Sequence, residues 1–104
     1  MLPHNRPPTH PEKILLEDFL KKYNITQQEL AHHMKWPFAR INEIVDGKRG
    51  VSAKTALGLS EAFGNNPEFW LNLQQNRDLW NARQGHISIS KLVMFSSVLE
   101  ANNN

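Results

Sequence analysis

The chain has 104 residues, 39% of them hydrophobic and 21% charged, with a formal net charge of +2. That length accommodates one ordinary domain rather than two, and the composition excludes wholesale disorder. Cysteine is absent, which excludes disulfides and thiolate metal sites and suits a reducing cytoplasm.

The opening MLPHNRPPTHPEK lacks the apolar run of a secretory leader. Four of the six prolines fall in residues 1–11, so residues 1–10 are expected to form an extended arm. A first helix is predicted from about Pro11 to Tyr23, with proline tolerated in its first turn. Ile14, Leu15, Phe19 and Leu20 make its inward face.

The next stretch, TQQELAHHMKWPFARINEIVDGKRG from Thr26 to Gly50, is where the chain is organised. Thr26-Gln27-Gln28-Glu29 has the form of a capping box, in which hydroxyl and carboxylate each bond the other's backbone N–H. Leu30, Ala31 and Met34 then recur at helical spacing. Lys35-Trp36-Pro37 ends that helix, because proline lacks an N–H and restricts the residue before it. A second helix follows from about Phe38, with Ile41, Ile44 and Val45 inward, and Asp46-Gly47 closes it. Two helices joined by a turn this short form a helix-turn-helix.

Lys48-Arg49-Gly50 is a basic loop. Ser52 is a plausible N-cap for a fourth helix to Phe63, with Ala56, Leu57, Leu59 and Phe63 inward, and Gly64 stops it. Asn66-Pro67 opens a fifth helix, running to about Arg83, with Phe69, Trp70, Leu73 and Trp80 as its apolar stripe. The expected fold is all-α: a five-helix domain over residues 11–84 with an extension over 85–104. In that extension His86 to Ser90 alternates polar and apolar residues, as in a half-buried strand. Lys91 to Leu99 has the spacing of a short helix. The whole tail is too short and too polar to span a membrane. Its apolar residues call for a second subunit, which makes a homodimer the expected state.

Charge is unevenly placed. From Pro37 to Thr55 there are four basic residues (Arg40, Lys48, Arg49, Lys54) against Glu43 and Asp46. The positive excess gathers at the second motif helix and the loop behind it. With the inward positions assigned, Phe38, Ala39, Arg40, Asn42 and Glu43 are left on the outer face, where side chains could approach base edges in a major groove. Lys48, Arg49 and Lys54 lie where phosphates would flank that helix. On pattern alone, a helical hairpin inside a bundle explains the segment as well as a DNA-binding unit does. His32 and His33 are adjacent and point apart on a helix, so they make a poor metal pair. No nucleophile–base pair, carboxylate dyad or phosphate-cradling glycine loop is legible, and neither an enzyme nor a cofactor is expected.

HPEKILLEDFL, TQQELA, RINEIVDGKRGVSAKTALGLSEAFG and NPEFWLNLQ, collinear over about residues 10 to 81, resemble the HigA/VapI-type antitoxins. These are members of the XRE/Cro, phage-repressor-like helix-turn-helix family. The resemblance implies a lambda-repressor-like fold. It further implies a DNA-binding antitoxin of a type II toxin–antitoxin module. Such a protein binds double-stranded operator DNA as a dimer, represses its own operon, and neutralises an RNA-cleaving toxin of RelE-like, HigB type. By position, Gln27 would anchor to phosphate, Phe38, Ala39, Arg40, Asn42 and Glu43 would form the recognition face, and Lys48 and Arg49 would contact the DNA backbone. Lys35 stands where the family turn usually has glycine, so a positive φ is expected there, at about 1 kcal/mol relative to glycine. Phe38 replaces a usually polar or basic residue, so the operator sequence does not transfer. Two other readings remain beside this one: a repressor without a toxin, and a toxin-binding module that has lost DNA binding.

Overall fold

The computed structural model describes residues 8–93, which form five helices and no strand. The first, α1, starts as an α-helix over Pro11–Ile14 and continues as a π-helix over Leu15–Lys21. A regular α-helix was the expectation for this stretch. The widened winding ends where the Ile25 N–H reaches back five residues to the Leu20 carbonyl, at 2.8 Å. Asn24 takes a positive φ of 57° at that exit.

The capping box forms as expected. The Glu29 N–H donates to Thr26 Oγ1 at 3.0 Å, and the Thr26 N–H donates to Glu29 Oε1 at 2.9 Å. It starts α2, Gln27–Met34. The backbone N–H of Thr26, followed by its side chain, holds the Glu29 carboxyl below the ordinary carboxylate range. Lys35 closes α2 at φ 59°, ψ 37°, the left-handed conformation that its glycine-like position called for. With Trp36 and Pro37 as the turn, α3 follows over Phe38–Val45.

Ser52 caps α4, Ala53–Phe63, accepting from the Thr55 N–H, and Gly64 ends it at φ 74°. Asn66 caps α5, Pro67–Arg83, accepting from the Phe69 N–H at 2.8 Å, with Pro67 in the first turn where no N–H is needed. No helix among the described residues is long and apolar enough to cross a membrane.

Each helix contributes to one core: Leu15 and Leu20 from α1, Leu30 and Ala31 from α2, Ile41 and Ile44 from α3, Ala56 and Leu59 from α4, and Trp70 from α5. Trp70 is wholly buried, and its indole N–H donates to Asn65 Oδ1 at 3.0 Å, which satisfies its one polar atom. Phe19 and Phe63 pack beside it as a tilted pair, with ring centres 4.6 Å apart.

Four further expectations are corrected. Leu57 is 54% exposed rather than inward. At about 100° per residue it lies roughly 200° around α4 from Leu59, on the opposite side. Phe69 is 39% exposed because Trp70 takes the inward position, and its ring packs edge-on against Trp70 at the rim of the core, with ring centres 5.1 Å apart. Residues 86–90 form no strand, and Ile87 and Ile89 are 85% and 86% exposed. A strand needs a ladder partner, and the described residues contain no other strand whose edge could pair with it. Lys91 to Val93 are not helical either, and the rest of the helix expected to Leu99 lies outside the described residues.

Candidate nucleic-acid interface

The capping box and the Lys35 turn set α3 across α2 so that Ile41 and Ile44 are buried. This leaves the first turn of α3 on the surface. Phe38 is 46% exposed and Ala39 is exposed. The other expected recognition residues are only half-buried, each taken up by the protein itself.

Asn42 Nδ2 donates to Gln27 Oε1 at 3.1 Å, which joins α3 to the first residue of α2. Glu43 accepts from Nε and Nη2 of Arg49, at 3.1 and 2.9 Å, so a carboxylate of α3 holds a cation of the basic loop. The Arg40 guanidinium lies 3.6 Å from the centre of the Trp36 ring, and its Nη2 donates to Thr55 Oγ1 at 3.3 Å. The sequence expectation of one freely presented outer face therefore holds for Phe38 and Ala39 but not for Arg40, Asn42 and Glu43.

The cations do converge. Arg40, Arg49 and Lys54 line one shallow depression together with Gly50, Ser52 and Thr55. The depression lies at the N-terminus of α4, where unpaired N–H groups and the helix dipole add positive potential. Lys48 is exposed on the loop between α3 and α4, and Lys35 is exposed at the α2–α3 turn. This combination can hold the oxygens of a polyanion beside an exposed helix turn. The exposed Glu43–Arg49 pair is worth at most about 1 kcal/mol, so a phosphate can replace the carboxylate at little cost.

The sequence alone does not mark Trp36, Ser52 and Thr55 as members of this site. It marks the first only as a helix breaker and the second only as a cap. The available signal is Trp36 and Arg40 four residues apart, a spacing that suggests contact within a helix but not across the intervening Pro37.

Residues 16–70 match the family model of the helix-turn-helix. The chain belongs to that family, in its XRE-type, HigA/VapI-like branch. It is 40% identical to virulence-associated protein I of Dichelobacter nodosus over 88% of this chain and 84% of that protein. Among solved structures it resembles the antitoxin GraA in complex with its operator. There the TM-score is 0.79 and the identity 37%, over 90% of this chain and all of GraA. It also resembles the Pseudomonas aeruginosa antitoxin HigA with the higBA promoter. That match has a TM-score of 0.75 and 34% identity, over 83% of this chain and 99% of HigA. The helix-turn-helix family is one of DNA-binding regulators, and the five-helix architecture is that of its HigA-type members.

Proposed function

We propose that this chain is a sequence-specific DNA-binding antitoxin that represses its own operon as a cytoplasmic homodimer and neutralises an RNA-cleaving toxin of RelE-like, HigB type. One observation carries the DNA-binding part. The exposed first turn of α3 stands beside a cationic depression at the N-terminus of α4, in a chain 37% identical to an antitoxin solved on its operator. In this reading Phe38 and Ala39 meet base edges and thymine methyls, with Asn42 and Glu43 behind them once their internal partners are exchanged. Gln27, Lys35, Lys48, Arg49 and Lys54 meet phosphates. Residues 11–84 are the DNA-binding unit, residues 1–10 its N-terminal arm, and residues 85–104 the dimerisation segment.

Binding to duplex DNA from upstream of the chain's own gene, followed by fluorescence anisotropy against a scrambled duplex, tests the repressor part. Tighter binding to the upstream duplex is expected. No binding to either duplex at low salt would leave a toxin-binding module as the reading. Co-expression with the RNA-cleaving product of an adjacent gene tests the antitoxin part: growth should be restored, and continued growth arrest would leave a repressor without a toxin.

A further inference from the structure

We propose that Trp36 is a positioning residue that holds Arg40 as a sequence-independent phosphate anchor, withdrawing it from base reading. The proposal rests on the DNA-binding reading above.

Trp36 is held from two sides. A Cβ placed on Gly58 of α4 would come within 2.5 Å of Trp36 Cζ2 and 2.7 Å of Cη2, so the indole edge occupies the space a side chain would take. Met34 Cε lies 3.0 Å from the same point. Glycine inside a helix is otherwise unfavourable, and here it admits a ring that crosses from the α2–α3 turn onto α4.

The fixed ring carries Arg40 at stacking distance, 3.6 Å from the ring centre. Thr55 supplies the second constraint, accepting from Arg40 Nη2 at 3.3 Å. Thr55 is itself 2% exposed and held by Ser52, whose Oγ accepts from the Thr55 N–H and donates to Thr55 Oγ1, both at 3.3 Å. Arg40 Nε is buried with no hydrogen-bond partner among the described residues.

A base-reading arginine presents two nitrogens as a fork to guanine O6 and N7. Stacking on the indole leaves the edge nitrogens of the guanidinium free to donate. The bond from Nη2 to Thr55, however, directs that edge to α4, and a fork to guanine would have to break it. The guanidinium is instead turned towards the depression it lines with Arg49, Ser52, Lys54 and Thr55, at a helix N-terminus, where an oxyanion is the fitting guest. Stacking also removes rotamer freedom before binding, so less is lost when a phosphate arrives.

The experiment is a titration of upstream and scrambled duplexes with wild type, Arg40→Ala, Trp36→Ala, Trp36→Phe, Thr55→Val and the Trp36→Ala/Arg40→Ala double variant, across salt concentrations. Circular dichroism and thermal melting are run in parallel. Arg40→Ala should weaken both duplexes by the same factor and lower the salt slope by about one. Trp36→Ala and Thr55→Val should also weaken both duplexes equally. Adding Arg40→Ala to Trp36→Ala should cost much less than Arg40→Ala alone. Trp36→Phe, which keeps an aromatic face, should recover most of the affinity. In the DNA-free protein, the side-chain protons of Arg40 should show an upfield ring-current shift that Trp36→Phe reduces.

Selective loss of upstream-duplex affinity in Arg40→Ala would make Arg40 a base reader and overturn the proposal. Additive losses in the double variant, or absence of the ring-current shift, would also overturn it. Should Trp36→Ala fail to fold, Thr55→Val and Trp36→Phe decide the matter alone. Wild type binding neither duplex is a separate signature, because it removes the DNA-binding reading and this one with it.

Discussion

Asn42 on α3 donates to Gln27 on α2 at 3.1 Å, so the two helices of the motif are joined by a side-chain hydrogen bond as well as by apolar packing. Both residues are half-buried, where an amide that loses its partner is only partly re-solvated. Gln27→Ala and Asn42→Ala should each destabilise the domain. In a double-mutant cycle followed by urea unfolding they should couple by about 0.5–1.5 kcal/mol. Strict additivity would mean the bond contributes nothing in solution.

Under the proposed DNA-binding function, the Arg49–Glu43 fork would compete with phosphate for the same guanidinium. Lys48→Ala with Arg49→Ala should weaken binding to every duplex and lower the log–log salt slope by about one per lost contact. Glu43→Ala should strengthen binding to scrambled DNA, because it frees Arg49 and removes a negative charge. Its effect on unfolding should be under about 1 kcal/mol, since the pair is half exposed. Anisotropy titrations at several salt concentrations test both variants, and an unchanged slope for the double variant would remove the loop from the phosphate contacts.

Glu29 predicts the direction of a pH effect. Its folded pKa lies below the ordinary value because the Thr26 N–H and hydroxyl favour the carboxylate. The group therefore adds stability above its unfolded pKa and loses it as pH falls through the folded one. Urea midpoints of wild type should fall on acidification from neutral pH to about pH 3 more steeply than those of Glu29→Gln. Parallel curves for the two proteins would contradict this assignment.

Trp70 joins α5 to the core. Wholly buried, with its indole N–H satisfied by Asn65, it should cost about 3–5 kcal/mol on truncation to alanine. Trp70→Ala should therefore lower the thermal midpoint far more than Leu57→Ala, whose side chain is largely in solvent. A Leu57→Ala effect of similar size would mean α4 is rotated from the position described.

The tail beyond Gly85 exposes Ile87, Ile89, Leu92 and Val93 in a single subunit. Isolated apolar side chains on a surface are ordinary, but four within seven residues form a patch that association would cover. A chain ending at Arg83 should keep its helical circular dichroism, lose the dimer, and with it most affinity for a two-fold operator. Sedimentation equilibrium measures the difference, and a truncated dimer as tight as the full chain would assign dimerisation elsewhere.

Helix boundaries were legible because their causes are local. Thr26 with Glu29, Ser52, and Asn66 with Pro67 each satisfy backbone groups within a few residues. The left-handed Gly64 follows from the same short-range geometry, whereas the left-handed Lys35 was expected only from the resemblance, which places glycine at that turn. The inward positions Leu30, Ala31, Ile41 and Ile44 followed from helical period alone. The partnerships of the polar residues were not legible, because they depend on where one helix crosses another. Arg40 reads as an outward cation until Trp36 is seen lying against Gly58 and Thr55 is brought beside it. Glu43 and Arg49 are six residues apart, a separation that no helical spacing brings together, and meet because the loop turns back after Gly47. The alternation at residues 86–90 satisfies the pattern of a strand, but pairing requires an edge, and whether one exists is a property of the assembled protein rather than of the segment.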